Sequence, residues 1–253
     1  MVDRTKSFLS CVSLSSVLAL GACGLNDEQT ARFSEASNAE LSTALAAVTL
    51  VEQATLLVPI IAAFDSLFSE NNCPEITPTS IVGNGCEIPG EVRYDGSIEL
   101  GPTLASQFAT MTFREFRRTD ADLSSFYMDG TVAFAQEGDE VLRYDLDMVF
   151  ERQAGFAANV DRAEVETSAT CQVLGEASAR CTLDAGAAHI DNLGGFTLEG
   201  AHSLGNVSDL PEGSSALDVT LHGAETMRMK SDAATGCIVY TIEDGEPQQR
   251  CGR

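Results

Sequence analysis

The sequence predicts an α+β, β-rich fold: an antiparallel meander of about nine or ten strands, a curved sheet or incomplete barrel, packed on an N-terminal helical segment. Three observations carry this expectation. Apolar residues recur at helical spacing only in the first third of the chain, alternation with a period of two dominates after Cys73, and the connections between alternating runs are short. Short connections leave no room for helical crossovers, so neighbouring strands are antiparallel. A β-sandwich is the alternative use of the same strands. With 253 residues, 44% apolar and 21% charged, the chain can bury a substantial core.

Residues 1–22 carry the three parts of a secretory signal: Arg4 and Lys6, an apolar run from Phe8 to Leu20, and small residues before a cysteine. The apolar run is short of the roughly 20 residues that span a bilayer. The junction reads Leu20-Gly21-Ala22-Cys23. It resembles the lipobox of bacterial lipoproteins, and the match is confined to this N-terminal stretch. The resemblance implies that the Cys23 thiol is diacylated, that the signal is cut immediately before it, and that the membrane is contacted through this lipid. Each buried CH₂ contributes about 0.8 kcal/mol, so two or three acyl chains anchor almost permanently. Gly24 stands where an inner-membrane retention signal of that family carries Asp, which implies an outer-membrane location facing the periplasm or the cell surface. Charge does not assist the anchor: 15 Lys+Arg against 38 Asp+Glu give a net charge of -23, which repels anionic lipid and excludes a nucleic-acid partner.

Residues 23–40 are polar and read as a tether or a solvated first helix. Residues 41–72 read as an apolar helical segment, with Leu41, Leu45, Val48 and Val51 at helical spacing. Pro59, inside the apolar run from Ala54 to Phe64, is expected to kink or restart the helix. A membrane span over 44–64 would place Glu52 and Gln53 at bilayer depth, at a cost of at least about 2.5 kcal/mol for the carboxylate. A core helix covered by the sheet is therefore preferred. Residues 73–253 form the antiparallel domain. Its clearest strand has Leu142, Tyr144, Leu146, Met148 and Phe150 on one face and Arg143, Asp145, Asp147 and Glu151 on the other. Turns are expected at Asp95-Gly96, Asp129-Gly130, Glu137-Gly138-Asp139, Gly194-Gly195, Pro211-Glu212-Gly213 and Asp244-Gly245.

Of eight cysteines, Cys11 leaves with the signal and Cys23 is consumed by lipid. The other six form couples separated by 13, 10 and 14 residues, which predicts Cys73–Cys86, Cys171–Cys181 and Cys237–Cys251. Disulfides suit an exported chain in an oxidising compartment. No couple has the C-x-x-C spacing of a metal or redox site.

Chemistry is sparsely signalled. No nucleophile-elbow, P-loop, zincin or EF-hand motif is present. His189, His202 and His222 fall on expected strands and would make an open metal site if they converged. Asp145 and Asp147, and the group Glu115, Asp120 and Asp122, are candidate carboxylate pairs that read more simply as a solvated sheet face. Phe113, Phe134, Leu142, Tyr144, Leu146, Met148 and Phe150 would line the sheet interior, either as an apolar ligand site or as core. No cofactor is expected. Two functions follow: a lipid-anchored envelope binding or scaffold protein that holds an apolar ligand or an envelope protein, or, as the alternative, an envelope hydrolase with a histidine/carboxylate or metal site.

Overall fold

The computed structural model describes residues 30–61, 72–88, 90, 92–104, 107–138, 140–153, 161–175, 178–205, 210, 214–232 and 237–251. The signal, the Leu20-Gly21-Ala22-Cys23 junction and the expected turn at 211–213 lie outside the described residues.

Two helices lead the chain, α1 (Asn38–Val48) and α2 (Leu50–Ile60). The first begins three residues before the expected Leu41 because Ser37 and Glu40 form a capping box. The Ser37 hydroxyl accepts from the Glu40 backbone N–H at 3.2 Å, and the Glu40 carboxylate accepts from the Ser37 N–H at 2.7 Å. The helices are bent by 77° at Thr49, not at Pro59, which sits in the last turn of α2. Thr49 Oγ1 donates back to the Leu45 carbonyl at 3.2 Å and accepts from Gln53 Nε2 at 2.9 Å, so side chains add to the Thr49 N–H to Leu45 and Gln53 N–H to Thr49 carbonyl bonds that persist at the bend. No single helix among the described residues is long and apolar enough to cross a membrane.

The sheet strands are β1 (Glu75–Thr77), β2 (Ser80–Val82), β3 (Cys86–Ile88), β4 (Val92–Leu100), β7 (Thr110–Asp120), β8 (Ser125–Glu137), β9 (Val141–Gln153), β10 (Asp161–Gly175), β11 (Ser178–Ile190), β12 (Gly194–Gly205), β13 (Leu217–His222), β14 (Thr226–Ser231), β15 (Ile238–Ile242) and β16 (Gln248–Arg250). They make one open antiparallel sheet of 14 strands in the order β1-β2-β4-β7-β8-β9-β10-β11-β12-β13-β14-β15-β16, with β3 also paired to β4. A separate two-stranded hairpin joins β5 (Thr103–Leu104) to β6 (Gln107–Phe108). The meander is therefore observed, not the sandwich alternative, and it is longer than expected and does not close into a barrel.

Two expected turns are strand interiors. Gly96 lies within β4 at φ 69°, and Gly130 lies within β8 at φ 130°. A Cβ on Gly130 would run into the Asp147 carbonyl of β9, and Gly200, at φ 122° in β12, meets the Asp218 carbonyl of β13 in the same way. These glycines let adjacent strands approach where the sheet bends.

The apolar face and the helices form one core. Leu50, Ala54 and Ile61 from the α2 region join Tyr94, Phe113, Phe116, Leu146, Phe196 and Leu221 from the sheet, all nearly inaccessible. α1 rests on β10 and β11. The polar segment before the helices is docked where it is described: Ala31 N–H donates to the Gly195 carbonyl at 2.9 Å and Phe33 packs edge-on against Phe196 at 5.6 Å. Ser34 donates from its N–H and its hydroxyl to the Glu225 carboxylate at 2.7 and 2.6 Å. From residue 30 onward the expected tether is part of the folded body.

All three disulfides are formed, as Cys73–Cys86, Cys171–Cys181 and Cys237–Cys251. Cys171 and Cys181 are directly opposite partners on β10 and β11, while Cys237 and Cys251 flank the β15–β16 pair.

Candidate functional site

The three histidines do not come together. His189 on β11 and His222 on β13 are exposed, flank β12 on its outer face, and sit two residues out of register, since Thr197 faces Ala187 and His222 while His189 faces Gly195. His222 Nε2 lies 2.9 Å from a Glu199 carboxylate oxygen. His202 is on the opposite, core face at 2% exposure. Among the described residues no group of three or more His, Cys, Asp or Glu could hold a metal ion. The three-histidine arrangement is thus corrected by strand register: alternation sends His202 inward and the other two outward.

His202 instead meets Tyr144. The phenol oxygen lies 2.7 Å from His202 Nε2, with the rings edge-on at 5.7 Å. Thr167 from β10 hydrogen-bonds the same phenol, and burial holds Tyr144 well above the usual phenol range. Burial pushes the His202 imidazole down to about 4; its bond to the Ser203 backbone opposes that, and the Arg180 charge adds to it. The phenol both donates and accepts, so it can serve either tautomer of the neutral ring at Nε2. Arg180 donates to Ser203 Oγ at 3.2 Å and to the Ser215 carbonyl. Every member of this chain is partnered, which is what allows polar groups to sit in the core.

The seven candidate lining residues, Phe113, Phe134, Leu142, Tyr144, Leu146, Met148 and Phe150, are all buried in the cluster that includes the helices. Of these, only Leu146 borders any of the cavities described, a depression of about 420 Å³ floored on the polar side by Asp145, Asp147, Glu166 and Gly186. The seven act as core.

Asp147 faces Glu166 directly across β9 and β10, an unfavourable like-charge pair on an exposed face. The other carboxylate group is used by the backbone. Asp122 accepts from Ser124 N–H at 2.9 Å and from its hydroxyl, which holds it below the usual carboxylate range, and Asp120 pairs with Arg118. Glu115 occupies a bulge where its N–H donates to Asp129 at 2.9 Å. The Thr167, Arg180 and Ser203 roles have no local signature, because Tyr144 and His202 are 58 residues apart and meet only through the curvature of the sheet.

No protein-family model, no curated protein and no solved structure matches this chain.

Proposed function

We propose that the protein is a lipid-anchored binding or scaffold protein of a bacterial envelope, attached through lipid on Cys23 to the outer membrane and facing the periplasm or the cell surface. The observation that carries the reading is the closure of all six cysteines beyond Cys23 into three local disulfides, which suits the oxidising compartment to which the signal and lipobox would deliver it. The apolar face is spent on the chain's own helices, so the exposed polar face is the surface offered to an envelope protein, ahead of an internal apolar ligand. The seven residue-to-residue steps from Cys23 to Thr30 reach at most about 25 Å, so the docked N-terminal segment beside Gly195 would hold that end of the sheet near the bilayer.

The test is fractionation of bacteria that express the full chain or its Cys23→Ser variant during palmitate labelling. The expected result is label and detergent-dependent extraction for the wild type, with neither for the variant. An unlabelled wild-type chain in the soluble fraction would overturn the anchor.

A further inference from the structure

We infer that the Tyr144–His202 hydrogen bond is an acid-released tie: it holds the concave floor beneath α1 at neutral pH and lets it loosen when His202 takes up a proton. The inference does not depend on the anchor.

Tyr144 is on β9 and His202 on β12, separated by β10 and β11. On a flat sheet those strands stand about 14 Å apart, and side chains perpendicular to it would not meet. A 2.7 Å bond between them therefore requires the sheet to be concave on the core face. The bond is a chord across that concavity, and it spans the two strands on which α1 rests.

Protonation changes this chord. A neutral His202 has one ring nitrogen able to accept, so Nε2 can take the Tyr144 hydroxyl proton without charge. A protonated ring can only donate, and it places a charge inside a core where Arg180 is already cationic. The surroundings offer little relief. β9 contributes Tyr144, β10 the neutral Thr167, β11 Arg180 and the oxidised Cys181, and β13 places Leu217 opposite. Asp184 of β11 bears on Tyr144, and its carboxylate already accepts from Thr170 at 2.7 Å. Within α1 the titratable group is Glu40, engaged in the capping box.

The sign follows from the folded value lying below the ordinary one. The opened or unfolded ring takes a proton first as pH falls below 6.5, while the folded ring stays neutral to about 4. The stabilisation is thus complete above pH 6.5, declines between those values and is lost below them. Over that range the opening equilibrium rises by up to about 300-fold.

Hydrogen exchange on the full chain with disulfides intact, corrected for intrinsic rates from pH 7.5 to 4, tests the tie. Wild type is expected to open progressively at α1 and β9–β12. His202→Gln keeps one acceptor and one donor but does not titrate, so its opening in this region should change by less than about twofold. Tyr144→Phe should already be loosened at neutral pH. A His202→Gln protein that follows the wild-type profile would overturn the tie. Should that variant not fold, imidazole NMR of the wild type decides: one ring neutral until the region opens supports the tie, and three ordinary titrations overturn it.

Discussion

The middle of the sheet and its margins solve the same problem differently. Strands β7–β12 are 11 to 15 residues long and share an apolar face; the β8–β9 and β9–β10 ladders run without a register shift, and the β7–β8, β10–β11 and β11–β12 ladders resume after theirs. At the margins, β1, β2, β3 and β16 have three residues each. Three-residue strands bury little and expose unpaired backbone, a liability at any sheet edge. Two of the three disulfides are placed there, Cys73–Cys86 beside β1 and β3 and Cys237–Cys251 beside β15 and β16. The lesson is that covalent staples stand in where the ladder is too short to hold itself. The third, Cys171–Cys181, lies between register shifts at Ser168/Ala169 and Val173/Gly175, where a long ladder is locally irregular.

The largest effect expected from breaking this contrast lies in the middle. Gly130→Val forces a branched side chain into a left-handed backbone position against the Asp147 carbonyl, and should cost at least about 3 kcal/mol or prevent folding. Denaturant melts of the full chain would check it, and a near-neutral result would remove the role given to this kink.

Next come the staples. Replacing both cysteines of a pair by Ser should cost about 3 kcal/mol in the loop-entropy description. The two marginal pairs should show the loss locally, as faster exchange and proteolysis of β1–β3 or β15–β16 with the middle unchanged. The Cys171/Cys181 pair should instead lower the global midpoint. A global loss from all three would erase the distinction between middle and margin.

Within the middle, the two faces can be separated. Tyr144→Phe leaves a buried His202 nitrogen without its partner and should cost about 1–3 kcal/mol. His189→Ala and His222→Ala, on the exposed face, should stay within about 0.5 kcal/mol. Between these two falls the helix start, where Ser37→Ala should cost about 1 kcal/mol by removing the cap. Thermal melts order these variants, and a His222→Ala loss equal to that of Tyr144→Phe would contradict the assignment of faces.

What could be read in advance divides along similar lines. Alternation at Leu142, Tyr144, Leu146, Met148 and Phe150 reports a local property, the burial of one strand face, and the structure shows that face buried. The cysteine couples are local too, and short spacing sufficed. Asp95-Gly96 and Asp129-Gly130 carry a turn signature inside strands because Asp-Gly marks positive φ, which serves a kink inside a long strand as readily as a turn. Joining strands across turns that are not there obscures how the sheet bends. The Ser37-x-x-Glu40 box marks a helix start ahead of Leu41, the first apolar residue at helical spacing. Phe33 stands in a polar stretch, and its partner Phe196 is distant in sequence. The Tyr144–His202 contact has no sequence signal for the same reason: it depends on register summed over four strands and on their curvature.

The most direct test of the central claim, an exported and lipid-held sheet stapled by local disulfides, is the intact mass of the full-length gene product recovered from bacterial membranes, before and after reduction. The account predicts a chain beginning at Cys23, heavier by its acyl groups, that gains about 6 Da on reduction. An unmodified Cys23 thiol, a retained signal or an unchanged mass on reduction would contradict it.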